Sequence, residues 1–253
     1  MLQVVCIKQV ADTETRVKVA ADGRTLDPGG VTWILNPYDE FALEQALRIR
    51  ESAGAGEVVV ISLGGPGVPT TLRNALALGA DRAIHLKTDG GPTDPLQVAR
   101  ALAAELKTPP LDSARLLWFG KQAVDDGACQ VAPMVAELLG HPCVTVVAAM
   151  ELEGERALVE REVEGGREVV EVMLPAVLAA DKGLNEPRYA SLKGIMAAKK
   201  KPLEEKPITL PAPSLEVLSL ALPPARAPGR IVGQGAAAVP ELVRVLREEA
   251  KVI

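Results

Sequence analysis

The chain is poor in the residue types on which most enzymes run. Its 253 residues hold two histidines, His85 and His141, each in or beside an apolar strand-like run where a structural role is expected. Aromatics make up 2%, so Val, Leu, Ile and Ala must build the core. Three cysteines, Cys6, Cys129 and Cys143, form no C-x-x-C and leave an odd thiol. Neither a disulfide framework nor a zinc site is suggested, and a reducing interior fits. No G-x-G-x-x-G, GxxxxGK[ST] or G-x-S-x-G occurs, so the dinucleotide fingerprint, the P-loop and the hydrolase elbow are missing. With 33 Asp+Glu against 28 Lys+Arg, a general basic surface for nucleic acid is lacking too. No apolar run approaches a membrane span, and "MLQVVCIKQV" enters a strand pattern without a basic leader. A cytoplasmic protein without direct membrane insertion is expected.

What is present is an α/β pattern. The apolar share is 48%, and the length supports one large domain with an appendage. Strands are expected at Leu2–Ile7, Glu57–Leu63, Arg82–Leu86, Leu116–Phe119 and Cys143–Ala149. Their nearly continuous apolar runs predict a Rossmann-like, mostly parallel, doubly wound sheet covered on both faces. Between them the helices have readable ends. In "NPYDEFALEQAL", Asn36 can cap, Pro37 suits the first helical position, and Asp39 favours the positive end. Asp94 and Pro95 repeat the device, and Gly79 can end the helix of "VPTTLRNALALGAD" in a left-handed turn. From about Glu151 the period changes to two, which predicts an added β-hairpin about Gly165-Gly166. The proline-rich run after residue 205 should be extended, with a final amphipathic helix in "VPELVRVLREEA". The expected division is 1–205 as the α/β domain and 206–253 as a C-terminal arm.

In an open α/β sheet, ligands bind beyond the carboxyl ends of the strands. Three turns outline such a crevice: "KQVADTE", "GGPGV" and "GKQAVDDGACQ". In the third, Gly120 leaves a strand and Gly127 precedes a helical run, so backbone amides can face an anion. Asp125 and Asp126 argue against a naked phosphate grip, though carboxylates can accept hydrogen bonds from ribose hydroxyls. A plain tight strand–helix turn is the alternative.

One further stretch, "NEPRYASLKGIMAAKKKP", sets Leu192, Ile195 and Met196 beside Lys199, Lys200 and Lys201. Contact with another molecule is one reading. A helix packed on its own domain with a solvated lysine end is the other.

"NPYDEFALEQAL", "TLRNALALGADRAIHL", "GKQAVDDGACQVAPMVAELLG", "VEREVEGG" and "LPAVLAADKGLNEPRYASLKGIMAAKKKP" together resemble the small (beta) subunit of electron-transfer flavoprotein, in order from Lys8 to about Leu203. The resemblance implies an adenine-nucleotide-type domain holding a structural AMP, without turnover of its own. It also implies a heterodimer with a larger alpha subunit that carries most of the FAD site. The arm would contact that subunit. By the family's pattern, AMP meets Cys6, Asn36, Pro37, Tyr38, Asp39 and Leu63. It also meets the run Gly120, Lys121, Gln122, Ala123, Val124, Asp125, Asp126, Gly127, Ala128, Cys129, Gln130 and Val131. A recognition loop, 182–203, docks acyl-CoA and related dehydrogenases of fatty acid oxidation through Leu192, with Tyr189, Ile195 and Met196 beside it. Electrons then pass to a membrane quinone reductase. Glu162 matches a position that pairs with the flavin domain; a solvated hairpin carboxylate is its alternative. The pattern departs at Lys193 and Ala11, where many relatives have proline, which predicts a less preorganised loop. Two other readings of the fold remain. An ATP-using enzyme needs a Gly/Ser-rich pyrophosphate loop after the first strand, where "KQVADTE" has no glycine; a non-redox adenylate-binding scaffold needs no flavin.

Overall fold

A strand covered by helices on both faces must be apolar at successive residues, and the central strands obey this. The computed structural model describes residues 1–89, 94–226 and 228–253. In chain order the first half runs β1 (Leu2–Cys6), β2 (Gln9–Ala11), β3 (Trp33–Leu35), α1 (Pro37–Ala53), β4 (Glu57–Gly64), α2 (Val68–Leu78), β5 (Arg82–Lys87) and α3 (Pro95–Leu106). The rest runs β6 (Leu116–Gly120), α4 (Val131–Leu139), β7 (Cys143–Glu153), β8 (Arg156–Val163), β9 (Gly166–Met173), β10 (Ala176–Ala180), α5 (Leu192–Ala198), β11 (Leu203–Pro207) and α6 (Val239–Arg244).

Nine strands form one sheet in the order β11-β5-β4-β1-β6-β10-β7-β8-β9, parallel as far as β7 and antiparallel from β7 to β9. Strands β2 and β3 pair separately. Val5, Val58, Val60 and Trp118 face α1 and α2, whose Leu43, Leu47, Leu72 and Leu76 are 0–1% exposed. Val4, Val59, Ile61 and Leu117 face α3 and α4. Each such leucine contributes about 1.5–3 kcal/mol by leaving water. The buried Gln3 and Trp118 side chains are matched: Trp118 Nε1 donates to Gln3 Oε1, and Gln3 Nε2 donates to the Ala46 carbonyl.

The expected strands are all present, most shifted by a residue at one end. The exception is β7, which runs on to Glu153 because β8 pairs with it, so the expected hairpin is the outer part of a three-stranded antiparallel extension. Besides the small β2–β3 pair, whose β2 lies within the expected turn "KQVADTE", strands β10 and β11 are additions. The first is AVLAA, too alanine-rich to announce a strand, yet wholly buried between β6 and β7. The second is a charged edge strand on β5 ending in Pro207, where a missing donor costs nothing.

Helix ends also follow the sequence in part. Asp94 accepts from the Leu96 amide as a side-chain cap. Asn36 is the N-cap residue of α1 but makes no cap hydrogen bond; its side chain is committed elsewhere, as described below. Gly79 ends α2 at φ 143°, a positive value outside the left-handed helical well. Buried His85 donates through Nε2 to the Gly64 carbonyl at 2.9 Å, as a structural residue would.

The chain divides into two compact units, Met1–Ser219 and Leu220–Ile253. Residues 206–219, given to the arm by sequence, therefore stay with the first unit. Asp94 accepts from the Ser214 amide, and the Ile208 amide donates to the Lys87 carbonyl. Within the second unit, α6 is short and continues as one wide turn over Val245–Glu249, with Arg244 paired to Glu241 and Glu248. Among the described residues no helix is long and apolar enough to cross a membrane.

Candidate functional site

The strand order reverses at β1. The chain moves outward through β4 and β5, then returns to place β6 on the other side. Neighbouring loops leave in opposite directions at such a point, so a crevice opens beyond the carboxyl ends of β1 and β6. A cleft of about 420 Å³ lies there.

Asn36 and Asp39, 1% and 5% exposed, build its frame. Asp39 accepts from three donors: the Lys8 amide at 2.7 Å, the Gly120 amide at 3.0 Å and Asn36 Nδ2 at 2.9 Å. Asn36 Nδ2 also donates to the Gln122 carbonyl, and its Oδ1 accepts from the Val124 amide. One Asn–Asp pair thus ties the end of β1, the end of β6 and the following loop together. Burial pushes the Asp39 carboxyl up to about 7, against the pull of its three donors. Gly120 sits so close that a Cβ on it would lie 2.4 Å from Asp39 Oδ1 and 2.7 Å from Tyr38 Cβ.

Cys6, Leu63, Val98, Leu102, Phe119 and Ala132 give the cleft an apolar floor. Burial, seconded by the Asp39 charge, drives the Cys6 thiol far above its ordinary range, which keeps it protonated. At the far wall α4 starts at Val131 with no side-chain cap from Gln130, so its first amides present the positive end of a helix dipole. Lys121 lines the cleft, but its ammonium is drawn to Asp181 at 2.8 Å and stands 5.1 Å over the Tyr38 ring. Asp125 and Asp126 meet the Lys8 ammonium at 2.8 and 3.0 Å. Cys129 Sγ leans on Gln122 Oε1 from a backbone at φ 56°.

Most of the expected nucleotide contacts share this wall: Cys6, Asn36, Asp39, Leu63, Gly120 to Ala123, Asp125, Asp126 and Ala128 to Val131. Pro37, Tyr38, Val124 and Gly127 lie off it; the Tyr38 ring lies under the Lys121 ammonium, the Val124 amide donates to Asn36 and the Gly127 amide to the Ala123 carbonyl. Lys8, Trp33 and Asp94 line the cleft without having been singled out for it. Lys8 had a signal, as the first charge after the first strand in a turn already assigned to the crevice. Trp33 had none, because its placement depends on the β2–β3 pairing.

The second candidate site is the loop about Leu192. Leu192 is 84% exposed and Tyr189 97%, with Met196 and Ile195 also outside. Its root is fixed. Arg188 grips Glu44 and Glu51 of α1, and Asn185 Nδ2 donates to the Phe41 carbonyl. Ser191 caps α5 by accepting from the Gly194 amide, and Gly194 packs so near the end of α2 that a Cβ would lie 2.4 Å from the Ala77 carbonyl oxygen. Arg73 donates to the Ala198 and Lys201 carbonyls, while Lys201 Nζ donates to those of Leu76 and Ala80. Lys201 is therefore part of the anchor and not of a solvated lysine run, whereas Lys199 and Lys200 are exposed. The loop lacks a proline at Lys193 but is fixed by side chains instead. Glu162 lies on β8 opposite Arg167, 3.7 Å from its guanidinium and exposed.

Fold and cleft define a Rossmann-like α/β protein with a receptive crevice at its topological switch point. The sequence profile described as "Electron transfer flavoprotein domain" matches residues 24–211. The chain is 40% identical to the "Electron transfer flavoprotein subunit beta" of Bacillus subtilis over 98% of each chain. It is 41% identical to that of Bradyrhizobium diazoefficiens over 100% of each. The human protein of the same name is 40% identical over 89% of this chain and 90% of its own. The chain belongs to the electron transfer flavoprotein family, among its beta subunits.

Proposed function

We propose that this chain is the beta subunit of a heterodimeric electron carrier. It holds AMP as a fixed structural ligand and docks flavin dehydrogenases, acyl-CoA dehydrogenases among them, through Leu192. FAD is held mainly by a larger alpha subunit, and electrons leave for a quinone reductase. The observation that carries the reading is the cleft at the β1/β6 switch point. It joins an apolar floor for a base, carboxylates for ribose hydroxyls and an uncapped helix start for a phosphate. The exposed Leu192 on its anchored loop supports the docking half. An anchor of one leucine, worth about 1.5–3 kcal/mol when buried in a partner, suits an association that must form and dissolve quickly. Glu162, exposed at the end of β8, is the contact this reading assigns to the flavin-bearing domain of the alpha subunit.

Co-expression with an alpha-type subunit, followed by cofactor extraction, tests this. The expected complex is yellow, releasing FAD and AMP. An acid extract free of adenylate would remove the nucleotide half of the reading.

A further inference from the structure

We propose that Lys8 sets the charge preference of the cleft: by clamping Asp125 and Asp126 it lets the mouth accept a phosphate-bearing nucleotide in preference to the neutral nucleoside. The inference rests on the nucleotide reading above and adds a specificity-determining residue to it.

The cleft is lined by the carboxylates of Asp39, Asp94, Asp125 and Asp126 against the ammonium groups of Lys8 and Lys121. Such a wall repels an anion unless its carboxylates are engaged. Asp39 is engaged by three donors, as above. Asp94 accepts from the Leu96 and Ser214 amides. Lys121 is of little help to a ligand, since Asp181 holds it. Asp125 and Asp126 remain: Asp126 accepts from one amide, that of Ala128, and among the described residues Lys8 is the cation paired with both.

Lys8 is built for this position. Its amide donates to Asp39 and its carbonyl accepts from the Asn36 amide, which fixes the backbone at the cleft's edge. From there the side chain spans from the end of β1 to the β6–α4 loop. One ammonium against two carboxylates halves the negative charge of the pair. Two of its three N–H groups are used, leaving one for a ligand oxygen.

The test is calorimetric titration of the nucleotide-free full chain with AMP and with adenosine. The wild type is expected to prefer AMP. Lys8→Met should cut that preference by at least about tenfold while adenosine affinity stays within about threefold. Lys8→Arg should keep the preference. Adding Asp125→Asn and Asp126→Asn to Lys8→Met should restore it, because the charge Lys8 offsets is then gone. An unchanged preference in Lys8→Met, or equal weakening of both ligands, overturns the inference. A wild type that binds neither ligand fails at an earlier point, the nucleotide reading itself.

Discussion

Gly120 has no room for a side chain, because the carboxylate that joins β1 to β6 already fills the space a Cβ would take. Gly120→Ala must push Asp39 or Tyr38 aside, a cost of about 1–3 kcal/mol for an overpacked site. The expected result is a melting point lower by roughly 2–4 °C per kcal/mol, together with reduced adenylate in the acid extract. A melting curve and nucleotide assay on the same preparation check both. Leu192 is the opposite case. At 84% exposure its truncation to alanine should leave stability within about 0.5 kcal/mol and leave AMP and FAD content intact. Electron transfer from a dehydrogenase at subsaturating concentration should slow about tenfold or more. Unaltered transfer kinetics would remove Leu192 from the docking mechanism.

At the scale of elements, the proposed docking loop is an apolar tip on a polar root. Burial raises the Glu44 carboxyl, but hydrogen bonds from Arg188 and Arg48 outweigh it. For Glu51 the Arg188 hydrogen bonds dominate outright, so both acids end below the ordinary glutamate value of 4.5. A depressed pKa in the folded state adds stability that is complete above the unfolded value and is lost as the pH falls through the folded one. Anchorage of residues 182–203 should therefore be full at neutral pH and weaken below about pH 4.5. Arg188→Gln should lower amide protection in this segment about tenfold at pH 7 and make little difference once both acids are protonated. Hydrogen exchange, corrected for intrinsic rates, reads this directly; a pH-independent gap would mean Arg188 acts through packing alone.

At the scale of the whole molecule, the proposed function makes the chain one part of an assembly. Large apolar side chains remain exposed on the second unit, including Ile231 at 83% and Leu222 at 59%, which an alpha subunit is expected to cover. The chain purified alone should be colourless and contain AMP; the co-purified complex should be yellow. Exposed Lys199 and Lys200 beside the proposed docking leucine should steer acidic partners, so raising the salt should slow association more than dissociation. Stopped-flow mixing with a dehydrogenase at two ionic strengths measures that split. An association rate indifferent to salt would leave these lysines without a role in docking.

Much of this was written in local pattern. Continuous apolar runs required a sheet covered on both faces, Asp94 and Pro95 marked a helix start, and "GKQAVDDGACQ" marked the loop of the cleft, because each signal depends only on near neighbours. Tertiary structure decided what depends on distant partners. AVLAA became a central strand only because β6 and β7 leave a gap of its width. Asn36 gave up its cap hydrogen bonds to hold a loop 86 residues away. Asp125 and Asp126 read as hostile to an anion until the fold brought Lys8, 117 residues distant from the first of them, within 2.8 Å. Charge balance at a site is a sum over space, and a chain's order does not record which charges will be neighbours.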